Sequence, residues 1–145
     1  MAVKIKRIDK TLPLPVYETD GSVGFDLYSR EDMRISAKNL AFIPSNLIIE
    51  APKDCMLIVC ARSSAPRKKG LLTPHGIGII DHDYCGPEDE IKIQVFNFTD
   101  NEVEIKRGEK IAQGIFVKIS KDGWDEVEEM QNKTRGGFGS TGGYH

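Results

Sequence analysis

The apolar residues of this chain occur in short runs, and turn-forming residues separate the runs. The strand-length runs are rich in β-branched or aromatic residues and read VKIKRI, NLIIEAP, CMLIVCA, EIKIQVFNF, VEIK and IAQGIFVKI. Turn sequences such as TDGS, TDNE, KRGE and SKDG lie among them. No long 3.6-residue period is present, and only SAPRKKG is a candidate for a short helix. We therefore predict an all-β fold, a sandwich or barrel of many short strands.

Chain length and charge narrow the class of protein further. The 145 residues suit one domain with a real core, and the net charge of −2 predicts no nucleic-acid partner. No apolar run is long enough for a membrane span or a signal peptide. Three Cys without a CxxC motif predict free thiols and a cytoplasmic location. A zinc site from His75, His82 and Cys85 is a weaker alternative, since the spacing fits no standard template.

The end of the chain differs in composition from the rest. RGGFGSTGG contains five Gly, and such a segment gains little on burial and loses much entropy on ordering. A disordered terminus and a tail that orders on a ligand are both compatible with this composition. We divide the chain into a β domain of residues 1–131 and a C-terminal arm of residues 132–145.

Two stretches in the first half of the chain carry groups suited to a metal ion or a phosphate. In GSVGFDLYS, strand alternation places Asp26 on the face opposite its apolar neighbours, where it either holds a hard cation or faces solvent. In ARSSAPRKKG, a hydroxyl-rich basic turn follows an apolar run. Its Arg62, Ser63 and Ser64 suit phosphate oxygens, or form a helix N-cap beside a solvated turn.

Two later stretches carry a candidate base and a candidate amide. In PHGIGIIDHDYCG, Gly76 and Gly78 allow the backbone to approach a ligand. Asp81 leaves a buried strand, where we expect a partly desolvated carboxylate fit for general-base work, and Tyr84 offers an aromatic face. In KRGEKIAQGIF, Gln113 shares a face with apolar residues, so its amide needs a partner. The structural alternative for the first stretch is a hairpin with a turn Asp and a packed Tyr. The structural alternative for the second stretch is a core Gln whose amide is hydrogen-bonded within the fold.

These four stretches and the terminal RGGFGSTG, in this order, resemble the five motifs of the trimeric dUTPase family over essentially the whole chain. The resemblance implies a jelly-roll-like β-barrel that forms a homotrimer. It also implies hydrolysis of dUTP to dUMP and pyrophosphate with Mg²⁺, which keeps uracil out of DNA and supplies dUMP for dTMP synthesis. Each active site is then expected at a subunit junction, with the arm closing over it.

The resemblance further implies a role for each matching residue. Asp81 resembles the general base, Tyr84 the ring under the deoxyribose, and Asp26 the carboxylate that holds Mg²⁺ through water. A β-hairpin is expected to read the uracil edge with the backbone of Gly76, Ile77, Gly78 and Ile79. The phosphates are expected to contact Arg62, Ser63, Ser64 and Gln113. In the arm, Phe138 resembles the ring that stacks on uracil, and the γ-phosphate clamp comprises Arg135, Gly139, Ser140 and Thr141.

Some positions depart from the family pattern. Ser64 stands where Gly is frequent, and only two residues separate Arg135 from Phe138. His75 replaces an Asn that touches the base in some relatives, and we expect it to be buried, neutral and hydrogen-bonded. The turn after the motif Tyr is longer and more acidic than usual. This turn contains Glu88, Asp89 and Glu90. We expect these residues either to form a solvated bulge or to lie close to a neighbouring subunit.

Two other functions are compatible with the same scaffold. A dCTP deaminase, alone or bifunctional with dUTPase activity, needs a carboxylic acid three residues before the strand Asn. Counting back from Asn97 gives Gln94, an amide that cannot shuttle a proton at neutral pH. A non-catalytic nucleotide-sensing regulator is the second alternative. Because Asp81 and Asp26 are both present, the sequence gives no cause for a loss of activity.

Overall fold

The computed structural model describes residues 2–139 and 142, and their regular structure is almost entirely β. The strands are β1 (Lys4–Arg7), β2 (Phe25–Tyr28), β3 (Met33–Ile35), β4 (Leu40–Pro44), β5 (Leu47–Glu50), β6 (Cys55–Ala61), β7 (Leu71–Leu72), β8 (Gly78–Ile80), β9 (Lys92–Asn97), β10 (Val103–Ile105) and β11 (Lys110–Lys118). One turn of π-helix, Ala65–Lys69, lies between β6 and β7. The predictions of an all-β fold and of a short helical piece in SAPRKKG are confirmed.

The strands form two small ribbons and two larger sheets, and every pair is antiparallel. The ribbons are β1–β5 and β3–β10. The larger sheets have the strand orders β4–β9–β7 and β2–β11–β6–β8. In β9, Ile93 and Val95 are buried while Lys92 is exposed, as the alternation in EIKIQVFNF predicts. One face of each sheet therefore lies on the core and the other faces outward.

The core lies between the inner faces of the sheets. Leu27, Ile43, Leu57, Ile91 and Ile105 have no exposed surface. Within the β2–β11–β6–β8 sheet, the ring of Phe25 lies directly over the backbone of β11. A Cβ atom on Gly114 would lie 2.6 Å from two carbons of that ring. Glycine is required there because any side chain would displace the ring from the core.

The outer face of the β2–β11–β6–β8 sheet changes in character along its strands. Asp26, Gln113 and Cys60 are cross-strand neighbours and form a polar row on this face. Two residues further along the strands, Ile115 and Ile58 occupy equivalent positions and make an apolar row. The sheet therefore presents a polar end and an apolar middle on the same exposed side.

After β11 the chain leaves the body of the fold. Residues 120–139 are exposed throughout and contain no strand or helix. Trp124 and Phe138 are fully exposed, at 101% and 115% of their reference surface. No helix among the described residues is long and apolar enough to cross a membrane.

Candidate active site

A groove beside the π-helical turn gathers several basic side chains. We call it the basic corner and define it by Arg62, Ser64, Lys68, Lys69 and Lys110. Arg62 directly follows β6, Ser64 is the N-cap of the π-helical turn that carries Lys68 and Lys69, and Lys110 begins β11. Guanidinium, ammonium and hydroxyl groups that converge in this way suit an anion with several oxygens, such as a polyphosphate.

Asp26 lies at the inner edge of the basic corner. It is only 8% exposed, although strand alternation points it away from the core. Its Oδ1 is 3.0 Å from Arg62 Nε, and its Oδ2 is 3.1 Å from Lys110 Nζ. The two cations cover the carboxylate and compensate for its loss of water. Asp26 is therefore a buried, ion-paired group and not a solvent-facing strand residue.

Lys110 is a member of this site that the sequence analysis missed. Its Nζ also donates to Glu18 Oε1 at 2.6 Å, and hydrogen bonds to Glu18 and Asp26 raise the pKa of Lys110. Lys110 is the first residue of β11, the strand that carries Gln113. Its place three residues before Gln113 in KRGEKIAQGIF is the signal that could have indicated a role in the site. The register shifts between Lys110 and Ala112, and this irregularity brings Lys110 beside Asp26. Residue counting along a regular strand does not reveal it.

Gln113 lies next to Asp26 in the polar row. Its Nε2 donates to the carbonyl oxygen of Ala61 at 3.1 Å, which confirms the prediction that this amide has a partner. No described residue pairs with the second N–H of this amide or with its carbonyl oxygen. A Cβ atom on Gly24 would lie 2.7 Å from Gln113 Oε1, so this glycine leaves room for the amide.

Ser63 and Ser64 follow the end of β6, and Ser64 belongs to the basic corner. Ser63 is exposed and Ser64 is partly exposed. Ser64 occupies the N-cap position of the π-helical turn, but its side chain makes no capping hydrogen bond. The Ser64 hydroxyl is thus not used by the cap, and the N-cap explanation of this stretch does not account for it.

The second group of predicted site residues lies around β8. Gly76 has a φ of +80°, a conformation that favours glycine, and its N–H donates to Thr73 O at 3.1 Å. The expected hairpin is not formed, because the strands on either side belong to different sheets. β7 pairs with β9 and β8 pairs with β6, so residues 73–77 connect two sheets, and Gly78 and Ile79 belong to β8. Ile77 and Ile79 are exposed, at 40% and 58%.

Asp81 follows β8 at the edge of the sheet. The expectation of a partly desolvated Asp81 is wrong for the single chain, since its side chain is exposed. β8 is an edge strand, and no other strand described here covers its free side. The Asp81 carbonyl accepts the N–H of Tyr84 at 3.2 Å, and Tyr84 is 40% exposed. His75 is also exposed, so the expectation of a buried histidine is wrong for the same reason.

The structure does not bring the two groups together within one chain. Ile80 pairs with Leu57, so Asp81 follows at the level of Met56 on β6. Arg62 lies six residues further along the chain, which corresponds to about 20 Å at roughly 3.3 Å per strand residue. Asp81 is therefore far beyond hydrogen-bonding reach of anything held by the basic corner of its own chain.

The acidic turn that follows Tyr84 is ordered by its own side chains. Glu88 is exposed, but Asp89 Oδ2 accepts the N–H of Gly86 at 2.7 Å. Glu90 is only 5% exposed and forms an ion pair with Arg30, at 2.8 Å from Nε to Oε1. The interpretation of the whole turn as a solvated bulge is therefore wrong for Glu90. Sequence analysis missed this pair, since sixty residues separate its members.

The remaining predictions concern metals and the arm. Among the residues that the structure describes, no three His, Cys, Asp or Glu side chains lie close enough to hold a metal ion, which excludes the zinc alternative there. Arg135, Phe138 and Gly139 are exposed. Ser140 and Thr141 lie outside the described residues.

Comparison with known proteins gives a consistent assignment. The family model described as dUTPase matches residues 10–142. The chain is 38% identical to the deoxyuridine 5'-triphosphate nucleotidohydrolase of Dictyoglomus turgidum, with 97% of each chain covered. It is 36% identical to the protein of the same name from Hydrogenobaculum sp., with 98% and 99% covered.

Solved structures agree with this result. The dUTPase of Streptococcus mutans superposes with a TM-score of 0.75 at 33% identity, over 82% of this chain and 98% of that one. A Staphylococcus bacteriophage 80alpha dUTPase superposes with a TM-score of 0.86, over 97% and 98%. At 23% identity this second likeness shows the fold alone, and it agrees with a jelly-roll-like β fold. The chain therefore belongs to the dUTPase family.

Proposed function

We propose that this protein hydrolyses dUTP to dUMP and pyrophosphate, with Mg²⁺, at active sites shared between the chains of a homotrimer. The product would supply dTMP synthesis and the reaction would keep uracil out of DNA. The observation that carries the proposal is the buried Asp26 carboxylate between Arg62 and Lys110, with Gln113 beside it. The relatives named above are nucleotidohydrolases of deoxyuridine triphosphate, and the bacteriophage structure contains dUpNHpp.

The basic corner binds the triphosphate in this proposal. Arg62 and Lys110 supply positive charge, and the hydroxyls of Ser63 and Ser64 and the free amide N–H of Gln113 supply hydrogen-bond donors. Phosphoryl chemistry depends mainly on positioning and on neutralising charge in the transition state. The corner provides both functions before any ligand arrives, because its ion pairs already fix the side chains.

Asp81 acts as the general base in this proposal. It takes a proton from the attacking water. The oxygen of that water then bonds to the phosphorus, in line with the bond to pyrophosphate, which breaks. Tyr84 packs its ring under the deoxyribose and disfavours a 2′-hydroxyl. The backbone of residues 76–79 reads the uracil edge, and the left-handed conformation of Gly76 turns the chain at the start of this segment.

Asp26 is the residue that would hold Mg²⁺, through a water molecule. Each of its oxygens is paired with one cationic side chain. Each also keeps a further lone pair that can accept a hydrogen bond from a metal-bound water. The site therefore fits a metal held mainly by water and phosphate oxygens, as Mg²⁺ prefers. The bound ion would neutralise charge on the phosphate oxygens.

Two observations support a site built from more than one chain. Asp81 lies about 20 Å from Arg62 along β6, whereas a base must come within about 3 Å of the water that it activates. The outer sheet faces also expose large apolar side chains, with Leu40 at 57%, Phe42 at 59% and Ile79 at 58%. Head-to-tail contacts that close after three copies would bury such faces and join Asp81 of one chain to the basic corner of the next.

The arm completes the site in this proposal. Phe138 stacks on uracil, and Arg135, Gly139, Ser140 and Thr141 hold the γ-phosphate. Successive N–H groups of a glycine-rich segment form a concave anion site, which explains the composition of RGGFGSTGG. A Phe138 ring that is fully exposed in the single chain is available for stacking on a base.

The substrate assignment is tested with a panel of dUTP, dCTP, UTP and dTTP, with and without Mg²⁺. We expect pyrophosphate release from dUTP and no ammonia release from dCTP. The groove lined by His75, Gly78, Ile79 and Gln94 contains no carboxylic acid in the described part of the chain, so it lacks the carboxyl group that deamination is expected to need. Ammonia from dCTP, or no turnover of dUTP, would contradict the proposal.

The base is tested with Asp81→Asn. Loss of a general base lowers kcat by about 10²- to 10⁴-fold, while the fold of each chain stays unchanged because Asp81 is exposed in the single chain. Size-exclusion chromatography checks that the variant still forms the trimer. Wild-type turnover in this variant would remove Asp81 from the mechanism.

The shared site is tested by mixing two inactive variants, Asp81→Asn and Arg62→Gln. A mixed trimer contains one junction at which an intact Asp81 faces an intact Arg62. Random co-assembly of equal amounts therefore restores about a quarter of the wild-type sites. If all site residues came from one chain, the mixture would stay inactive at every ratio. Each variant alone, refolded in the same way, is the control.

A further inference from the structure

The turn of residues 81–90 is held by polar contacts and not by a core of its own. Its first part closes with the N–H of Tyr84 on the Asp81 carbonyl, at 3.2 Å. Its second part closes with the N–H of Asp89 on the Gly86 carbonyl, at 3.1 Å. Asp81 and Tyr84 are both exposed. Burial thus contributes little to the position of either side chain, and that position depends on how the turn is anchored.

Glu90 anchors the end of this turn. Arg30 donates to both of its carboxylate oxygens, from Nε to Oε1 at 2.8 Å and from Nη2 to Oε2 at 3.0 Å. The backbone N–H of Asn46 donates to Oε1 at 2.9 Å, and Lys92 Nζ donates to Oε2 at 3.1 Å. Four donors therefore fix a side chain that is only 5% exposed.

The groups that fix Glu90 are themselves held by the rest of the fold. The N–H of Arg30 donates to the Pro44 carbonyl at 2.8 Å. Asn46 is buried in a left-handed conformation, with a φ of +72°. Its side chain exchanges two hydrogen bonds with the backbone of Asp9, at 2.6 and 2.9 Å. The anchor is thus rigid at its base.

The anchor reaches Tyr84 directly. The Tyr84 hydroxyl donates to the backbone carbonyl of Glu90 at 3.4 Å. The ion pair holds the Glu90 side chain and with it the Glu90 backbone. The backbone carbonyl of Glu90 in turn accepts the hydrogen bond from the Tyr84 hydroxyl. Because a buried ion pair seldom adds net stability over an apolar pair, its value here lies in geometry.

We propose that Arg30 and Glu90 are a positioning pair that sets the place of the Tyr84 ring and thereby the preference for a deoxyribose over a ribose. The proposal rests on the function proposed above, in which Tyr84 lies under the sugar. Neither residue touches the nucleotide. Without the ion pair, the turn of residues 81–90 moves more freely, and the ring no longer excludes a 2′-hydroxyl.

The test compares kcat/KM for dUTP and UTP in Glu90→Gln and Arg30→Gln. We expect the ratio of dUTP to UTP to fall about tenfold in each, mainly through improved use of UTP. The double variant should be no less selective than either single one, because both remove the same ion pair. Arg30→Lys keeps the charge but loses the two-pronged contact, and it should retain intermediate selectivity.

Two controls separate positioning from a general loss of stability. Glu102→Gln breaks an exposed ion pair with Arg34, in which the two atoms are 3.7 Å apart. This pair lies at the β3–β10 ribbon, so the variant should leave the ratio of dUTP to UTP unchanged. Ile105→Val lowers stability from the core, where Ile105 is fully buried, and should also leave the ratio unchanged.

A second measurement does not depend on activity. Hydrogen exchange of full-length protein should show faster exchange at residues 82–86 in Glu90→Gln and Arg30→Lys, but not in Ile105→Val. Unchanged selectivity in the Arg30 and Glu90 variants would overturn the proposal, and so would unchanged exchange, because the turn would then not depend on the ion pair. A wild-type protein that does not hydrolyse dUTP would overturn the proposed function instead, while the exchange measurement would still test the anchor. If the Gln variants fail to fold, Arg30→Lys carries both measurements.

Discussion

In the proposed function, the basic corner and the C-terminal arm hold the ligand in opposite ways. In the corner, Asp26 is 8% exposed and its two oxygens are paired with Arg62 and Lys110 inside one chain. In the arm, Phe138 is fully exposed and every residue from 132 to 139 faces solvent. The ion pairs of the corner form within one chain, whereas the described residues of the arm are all exposed.

This difference has a thermodynamic meaning. Under the proposed function, a prebuilt corner loses little conformational entropy on binding, so its charges act at full strength on an incoming phosphate. An arm that orders on binding loses entropy at that moment, but it can open again and release product. Deleting parts of the arm should therefore change activity without changing stability, and altering the corner should change stability as well.

The largest effect is expected from deleting residues 136–145. Loss of the arm's phosphate donors should lower kcat/KM for dUTP by about 10²- to 10³-fold, the cost typical of one removed transition-state donor. The melting temperature and the trimer mass in size-exclusion chromatography should stay as in the full chain, because the deleted residues that the structure describes add no buried surface. Full turnover by the shortened chain would show that the arm has no part in catalysis.

The fold could be predicted from the sequence because its signals are local. The alternation of Ile93 and Val95 with polar neighbours, and the short helical piece before Gly70, are confirmed. Asp81 and His75 were expected to be desolvated, and both are exposed. Their environment depends on an edge strand whose free side no described strand of this chain covers, and a single sequence does not show what lies there.

The contacts that were missed are all long-range. Lys110 reaches Asp26 through a register shift, and Arg30 reaches Glu90 across sixty residues of chain. Each of these side chains alone looks like an ordinary surface charge. Only the pairing of distant strands makes them neighbours, so the sequence pattern of one strand cannot reveal such pairs.

The second prediction concerns one ring of the arm. Phe138→Ala should raise KM for dUTP about tenfold, since stacking of a base on an aromatic ring contributes about 1–3 kcal/mol. The melting temperature should not change, because Phe138 is fully exposed in the free chain. Trp124→Ala, which removes another fully exposed ring outside the glycine-rich segment, is the matched control and should leave KM near the wild-type value for an intact trimer. Equal effects of the two variants would refute a specific role for Phe138.

The third prediction moves to the corner and measures stability. Asp26→Asn leaves Arg62 and Lys110 beside a neutral amide, so the free energy of unfolding should fall by about 1 kcal/mol. The value is modest because the side chains of Arg62 and Lys110 are 37% and 35% exposed. Water therefore partly screens their attraction to Asp26. Urea denaturation of the variant and of the chain lacking residues 136–145 gives the comparison. An unchanged midpoint for Asp26→Asn would contradict the view that the corner contributes to the fold.

The smallest effect is a pH dependence that belongs to the body and not to the arm. Burial alone would raise the pKa of Glu90, but hydrogen bonds from Arg30, Asn46 and Lys92 outweigh burial and lower it below the ordinary 4.5. A carboxyl group with a depressed pKa in the folded state stabilises the fold above its unfolded pKa, and this contribution is lost as the pH falls through the folded value. The free energy of unfolding should therefore decline below about pH 4.5, and less steeply in Glu90→Gln than in the wild type. The chain without residues 136–145 should decline as the wild type does, because Glu90 and its partners remain. Equal slopes for Glu90→Gln and the wild type would show that this ion pair does not couple folding to protonation.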